Sequence, residues 1–201
     1  MITITPDQHR IIDAAFTRFA KFGPEKTTMA EIARDLGYSR TFLYYYFPDK
    51  ESIFKMAMIR CAQKYLDAIR KELKKKISAA QMLENSVKTK VFCAKDFQVL
   101  GVYTNQTITQ LLRDDKDLQF IFLTEQKLIV EIIQLGKKDG SLLKCNPAKT
   151  AQQIIDGLIG YMSVGLKKLG TIEKIPAQQL NELYKKQLEF GILLISAIKS
   201  R

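Results

Sequence analysis

Residues 27–50 read TTMAEIARDLGYSRTFLYYYFPDK, and this stretch predicts two short helices joined by a tight turn. Thr28 and Glu31 have the spacing of a capping box, which starts the first helix. Gly37 stands where that helix must end, because glycine adopts a positive φ at little cost. Ser39 is a good N-cap for a second helix. The stretch therefore predicts a helix-turn-helix.

The second helix of this motif has a polar and aromatic outward face. Its members are Arg40, Thr41, Tyr44 and Tyr45. Such a helix fits the major groove of DNA, where arginine reaches guanine and threonine meets a thymine methyl or a phosphate. An ordinary helical hairpin with a polar surface has the same spacing, and three consecutive tyrosines also suit simple packing. Both interpretations stay open on spacing alone.

The same run resembles the N-terminal domain of the tetracycline-repressor (TetR/AcrR) family. The resemblance extends over about residues 5–54 and rests on an Ala and a Gly at this spacing, then Ser39, the run LYYYF and the run DKE. It implies an N-terminal DNA-binding domain followed by a helical domain that encloses an effector. It says little about the sequence of the rest of the chain.

The resemblance also implies roles for individual residues. Phosphate contacts fall to Thr28, Tyr44, Tyr46 and Lys50. Base-edge contacts fall to Arg40, Thr41 and Tyr45. Phe42 departs from the family, which usually has a small or hydroxyl residue there, and we expect it to pack on a sugar edge or a thymine methyl. Thr27 and Ser39 complete the predicted DNA-binding set.

Composition narrows the class of protein. The chain has 201 residues and a net charge of +11, which suits a polyanionic partner. Residues 1–60, however, hold 9 Lys/Arg against 7 Asp/Glu, so the excess lies beyond the helix-turn-helix and is weak evidence for DNA binding. One histidine, three scattered cysteines and no phosphate-binding loop argue against an enzyme, a metal site or a cofactor. With no signal peptide and no spanning segment, we expect a soluble, cytoplasmic protein with no membrane partner.

The predicted fold is all-α, in two domains. Residues 1–50 form the helix-turn-helix domain, which continues into a long helix over 49–76, and residues 51–201 form a larger domain for effector binding and dimerisation. Further helices are predicted over 79–96, 97–113, 115–138, 147–169 and 176–199. The first helix is expected to bury Phe16 and Phe19.

The last two helices carry more apolar surface than one core uses. Gly157, Gly160 and Gly165 thin one side of the first of them, so that another helix can approach. A two-fold homodimer that joins both pairs in a four-helix bundle accounts for this surface. A monomer that buries both faces internally is the alternative.

Aromatic residues in the middle helices suit either a plain core or a pocket, and the resemblance favours the pocket. The candidate effector-binding residues are Tyr65, Phe92, Phe97, Tyr103, Phe122 and Met162. Few acidic residues accompany them, which favours a neutral or anionic apolar molecule. The leading hypothesis is a repressor that a small apolar effector releases from a pseudo-palindromic operator. The alternatives are a helical protein-interaction module and a DNA-binding regulator without an effector.

Overall fold

The computed structural model describes residues 4–99, 114–170 and 175–200, and over these residues the chain forms eight α-helices. Their bounds are α1 Pro6–Phe22, α2 Met29–Leu36, α3 Arg40–Tyr46, α4 Lys50–Glu72, α5 Ala79–Val99, α6 Lys116–Asp139, α7 Pro147–Leu169 and α8 Ala177–Ser196. The predicted all-α fold class is confirmed. In the described part of the chain, no helix is long and apolar enough to cross a bilayer.

The chain divides into two compact units. The first holds residues 1–62 with 96–102, and the second holds residues 63–95 with 103–201. The division therefore falls inside α4, which begins in the first unit and ends in the second. The boundary predicted after residue 50 lies at the start of the same helix.

The first unit has a continuous apolar core. Thr5 caps α1 by accepting from the Gln8 amide at 3.3 Å, while the Gln8 side chain accepts from the Thr5 amide at 2.9 Å. Phe16 is only half-buried, whereas Phe19 is buried as predicted. The buried apolar residues of this unit are Ile11, Ile12, Ala15, Phe19, Ile32, Ala33, Leu43, Phe47, Ile53, Phe54, Ala57, Met58, Ile59, Cys61 and Ala62.

In the second unit, α7 packs on both α6 and α8. A Cβ at Gly191 would lie 2.5 Å from Val87 Cγ1 and 3.0 Å from Leu158 Cδ2, so the backbone of α8 approaches its neighbours closely. At Gly165 a Cβ would collide with Leu183, which supports the predicted close approach of the last two helices. Gly160 does not share this role, because it is exposed and a Cβ there would meet no atom within 4 Å.

The loop after α6 joins two other parts of the second unit. The Asp139 carboxylate accepts from the amide of Ala79 at 3.0 Å, which caps the start of α5. The amide of Leu143 donates to the carbonyl of Ile198 at 2.7 Å. Because residues after Ser196 pair with this loop, the predicted extension of the last helix to residue 199 is wrong.

Two other helix ends differ from the sequence-based prediction. α5 continues to Val99, so the predicted break between residues 96 and 97 is wrong. α4 ends at Glu72 instead of residue 76, because the amides of Lys74 and Lys75 bond carbonyls three residues back. The Glu72 carboxylate accepts from Lys75 and from Asn85, which holds this end against α5.

Candidate nucleic-acid interface

Hydrogen bonds between residues close in sequence hold both the start of α2 and the turn that joins α2 to α3. The Thr28 hydroxyl accepts from the Glu31 amide at 3.3 Å, and the Glu31 carboxylate accepts from the Thr28 amide at 2.9 Å. Gly37 has φ +67°, and a Cβ there would meet nothing within 4 Å. The glycine is therefore required for its backbone conformation and not for space. The Tyr38 amide then donates to the Ala33 carbonyl at 2.9 Å and closes the helix end.

α3 presents one buried side chain and a broad exposed face. Ser39 caps it by accepting from the Phe42 amide at 3.0 Å. Leu43 is fully buried and points into the core of the first unit. The exposed residues of the helix are Arg40, Thr41, Phe42, Tyr44 and Tyr45. Tyr45 is 81% exposed, so this face offers both an aromatic surface and a guanidinium to a groove.

Phe42 lies between two tyrosines of its own domain. Its ring packs edge-on against Tyr38 at 4.6 Å and against Tyr46 at 5.1 Å between centroids. These contacts orient Phe42, whose side chain keeps 37% of its surface exposed. The ring can thus stabilise the aromatic cluster and still present an edge to DNA.

Thr27 and Lys50 hold the loop between α1 and α2. The Thr27 side chain is buried, and its hydroxyl donates to the Gly23 carbonyl at 2.9 Å. The Thr27 hydroxyl therefore supports the loop, and the predicted contact of Thr27 with DNA stays a prediction. The Lys50 ammonium donates to the carbonyls of Pro24 at 2.9 Å and Glu25 at 3.4 Å. An ammonium has three donors, so a phosphate contact by Lys50 remains compatible with both bonds.

Asp7 is a functional candidate that the sequence analysis did not identify. Its carboxylate accepts from the Tyr46 hydroxyl at 2.9 Å and from the Tyr38 hydroxyl at 3.2 Å. The bond to Asp7, followed by burial, raises the pKa of the Tyr46 phenol. No local pattern predicts these pairs, because Asp7 lies 31 and 39 residues from the two tyrosines.

An ion pair braces α1 against α2. The Arg18 guanidinium donates to both carboxylate oxygens of Asp35, at 2.5 and 2.8 Å, and lies 3.4 Å from Glu31. The bond to Arg18 holds the pKa of Asp35 below its usual value. The pKa of Glu31 is also lowered, first by its bonds to Thr28 and then by the charge of Arg18. The capping box and the brace therefore both favour the ionised carboxylates.

The candidate effector residues do not form one group in the described structure. Tyr65 and Met162 are buried, while Phe92 is 69% exposed and Phe122 is 37% exposed. Phe97 and Tyr103 lie outside the residues whose side chains the structure describes. Phe92 and Phe122 are thus surface residues of the isolated chain.

A buried polar cluster, formed by Tyr65, Lys90 and Glu125, lies in the second unit. The Glu125 carboxylate accepts from the Tyr65 hydroxyl at 3.0 Å and pairs with the Lys90 ammonium. Lys90 also lies 5.2 Å from the centroid of the Tyr65 ring. An acidic residue therefore accompanies one of the predicted aromatic residues, but the Lys90 ammonium pairs with it, and a neutral or anionic apolar effector stays a prediction. Within the described part of the chain, no group of three or more His, Cys, Asp or Glu side chains could hold a metal.

Comparison with known proteins agrees with this geometry. The profile for bacterial regulatory proteins of the tetR family matches residues 11–57. The HTH-type negative transcriptional regulator IcaR of the icaADBC biofilm operon, from Staphylococcus aureus (strain Newman), is 37% identical over 60 residues. That segment is 30% of this chain and 32% of IcaR, so the match spans about a third of the curated relative.

Solved structures extend the similarity to the whole fold. A transcriptional regulator from Cytophaga hutchinsonii has a TM-score of 0.82 and 26% identity, covering 98% of this chain and 100% of its own. A Saccharomonospora viridis protein in complex with choline has a TM-score of 0.71 and 19% identity, covering 97% and 98%. At that identity the second likeness shows the fold alone.

The fold and the exposed face of α3 define a helix-turn-helix protein of the DNA-binding regulator class, with a helical C-terminal unit. Residues 11–57 of the chain are similar to bacterial regulatory proteins of the tetR family, and the whole chain is similar in fold to a transcriptional regulator of known structure. Regulators of this family are DNA-binding proteins and not enzymes, in agreement with the prediction from composition.

Proposed function

We propose that the chain is a transcriptional repressor that binds double-stranded operator DNA through α3. The exposed face of α3 carries the proposal: Tyr45 is 81% exposed beside Arg40 and Thr41, and all three project from a helix that a buried leucine and a capped turn hold in place. The name of IcaR, a negative transcriptional regulator, supports repression as the outcome. A cytoplasmic location and a functional boundary after residue 50, with α4 shared, belong to the same proposal.

The roles proposed for individual residues follow from exposure. Arg40, Thr41 and Tyr45 read base edges, since their side chains are exposed on one helix. Tyr44 is exposed and donates its hydroxyl proton to a phosphate, and Lys50 adds a positive charge. Thr28 is exposed beside them, but its hydroxyl proton is donated to the Glu31 carboxylate at 2.8 Å, so a phosphate contact by Thr28 requires that this bond is exchanged. Phe42 contributes an apolar edge, while Ser39 and Thr27 support the motif through the bonds described above.

We further propose a homodimer formed through α7 and α8. Val164 is 54% exposed and Leu193 is 64% exposed, so each helix keeps an apolar side chain outside the core of its own chain. Gly160 is exposed on the same helix as Val164, where it would let a partner helix approach. Two-fold symmetry then requires inverted half-sites whose recognition helices lie about 34 Å apart.

We expect selection from random DNA to return an inverted repeat, and sedimentation to give a dimer at micromolar concentration without DNA. Leu193→Asp should shift the protein to monomer and weaken operator binding, because it places a charge in the proposed contact. Leu143→Asp is the matched control, since Leu143 is 49% exposed and lies outside both helices. A wild-type monomer, or equal effects of the two substitutions, contradicts the proposed dimer.

A small apolar effector bound in the second unit completes the proposed function. α4 is one uninterrupted helix that contributes Tyr65 to the second unit and Phe54 to the core of the first. A ligand that displaces residues 63–72 must therefore also strain residues 50–62. One protein of the same fold, from Saccharomonospora viridis, was solved in complex with choline.

We expect the effector to weaken operator binding by about 5- to 150-fold, and operator DNA to weaken effector binding by the same factor. Thermal-shift screening of an apolar compound library, followed by operator titration with and without each hit, measures this coupling. A hit that raises the melting temperature but leaves operator affinity unchanged is a ligand without regulatory effect. If every hit behaves in that way, the effector proposal is wrong.

A further inference from the structure

Two tyrosines from different parts of the helix-turn-helix converge on one carboxylate. Tyr38 lies in the turn and Tyr46 is the last residue of α3, so their hydroxyls approach Asp7 from either end of the recognition helix. Asp7 itself stands in the first turn of α1, whose start is fixed by the capping box of Thr5. The carboxylate therefore connects a rigid helix end to both ends of α3.

The number of donors restricts what Tyr46 can do. A phenol has one proton, and the Tyr46 proton is donated to Asp7 at 2.9 Å. Phosphate oxygens accept hydrogen bonds and cannot donate them. Tyr46 can therefore donate to a DNA phosphate only by leaving Asp7, which would cost a charge-assisted bond. The pKa of Tyr46 is raised, chiefly by this bond, so the phenol stays protonated as the donor.

The two bonds supply an orientation that apolar packing does not. Apolar side chains anchor α3 at Leu43 and, directly after the helix, at Phe47, whereas the first three residues of the helix are exposed, so its N-terminal end has no buried side chain. Bonds at Tyr38 and Tyr46 restrain both ends, and the ring of Phe42 packs between the same two tyrosines. The direction in which Arg40 and Tyr45 point thus depends on Asp7.

We infer that Asp7 is a positioning residue for DNA recognition, and that Tyr46 acts through this carboxylate and not by donating to a phosphate. The inference rests on the proposed function, because it concerns the orientation of the same recognition helix. It divides the three tyrosines of α3 by task. Tyr46 orients the helix, whereas the exposed hydroxyl of Tyr44 is the one that donates to phosphate.

A positioning role and a simple charge effect of Asp7 predict opposite changes in operator affinity when the carboxylate is removed. A carboxylate near DNA repels phosphates, so if charge were its main effect, removing Asp7 would tighten operator binding. If positioning dominates, Asp7→Ala weakens operator binding by about tenfold, the change that corresponds to about 1.4 kcal/mol. Asp7→Asn keeps one acceptor without the charge and should fall between Asp7→Ala and the wild type.

The test is operator titration of Asp7→Ala, Tyr38→Phe/Tyr46→Phe and the triple variant, on full-length protein confirmed as folded by circular dichroism. Each of the first two variants should lose about tenfold in affinity, and the triple variant should lose no more than either, because all three remove the same bonds. Tyr44→Phe is the matched control, and its loss should add to that of Asp7→Ala. If Asp7→Ala does not fold, the tyrosine double variant carries the same prediction.

Three outcomes overturn the inference while wild-type operator binding is intact. They are unchanged or tighter binding by Asp7→Ala, unchanged binding by Tyr38→Phe/Tyr46→Phe, and the same effect of Asp7→Ala with and without the two tyrosine hydroxyls. A wild-type protein that selects no DNA sequence overturns the proposed function itself, together with this inference.

Discussion

Replacing Glu125 with alanine is expected to lower the free energy of unfolding by about 3 kcal/mol. Glu125 is 4% exposed, and its carboxylate binds the Tyr65 hydroxyl and the Lys90 ammonium. Alanine leaves that ammonium without its counter-charge in a largely buried place. The Lys90 side chain keeps 13% of its surface exposed, which puts the expected loss at the low end of the range for broken buried pairs.

Two further variants distinguish the effect of breaking the Lys90–Glu125 ion pair from the effect of removing both of its charges or a surface charge. Lys90→Met/Glu125→Leu removes both charges at similar volume and should recover most of the loss, since paired charges gain little net stability once desolvated. Glu131→Ala, on the exposed face of the same helix, should change stability by less than about 0.5 kcal/mol. Urea unfolding followed by circular dichroism measures all three. A Glu125→Ala variant as stable as Glu131→Ala would falsify the structural role given to the pair.

The sequence predicts the helix-turn-helix well because its determinants are local. Thr28 and Glu31 satisfy each other over three residues, and Ser39 caps α3 over the same distance. Gly37 marks the turn through its own backbone conformation. Each of these signals involves residues within one helical turn, so it can be recognised from the sequence alone.

Helix ends without such a signal were predicted less well. Residues 73–76 contain good helix formers and neither glycine nor proline, which is why the sequence extends α4 too far. The helix ends instead where Glu72 binds Asn85, a residue of the next helix. Tertiary contact thus overrides a propensity of a few tenths of a kcal/mol per residue.

The polar contacts of Asp7 and Glu125, in contrast, join residues that are distant in sequence. Tyr46 and Asp7 are 39 residues apart, and Tyr65 and Glu125 are 60 apart. In the sequence, Asp7 is an acidic residue in the first turn of a helix, a position that the helix dipole is sufficient to explain. Its second role requires the packed arrangement of α1 and α3, which no periodicity reveals. The assignment of Tyr46 to a phosphate contact came from the family resemblance and stays a prediction, with which the bond to Asp7 competes.

Two substitutions in the recognition helix should distinguish a residue that stabilises the fold from a residue that contacts DNA. Leu43→Ala should lower the free energy of unfolding of the first unit by about 2–5 kcal/mol, since Leu43 is fully buried and its loss leaves a cavity. Tyr45→Ala, two positions later, should change stability by less than about 0.5 kcal/mol because the residue is 81% exposed. The two residues thus share one short helix but differ in burial.

Operator binding should respond to both substitutions for different reasons. Leu43→Ala reduces the folded fraction of the first unit, so its loss of affinity should grow with temperature. Tyr45→Ala removes a contact surface and should weaken binding by a factor that stays constant while the protein remains folded. Hydrogen exchange at the α2 and α3 amides reports unfolding of the first unit alone and gives its free energy. If Tyr45→Ala accelerates that exchange as much as Leu43→Ala does, then Tyr45 supports the fold, and the face of α3 assigned to DNA is the wrong one.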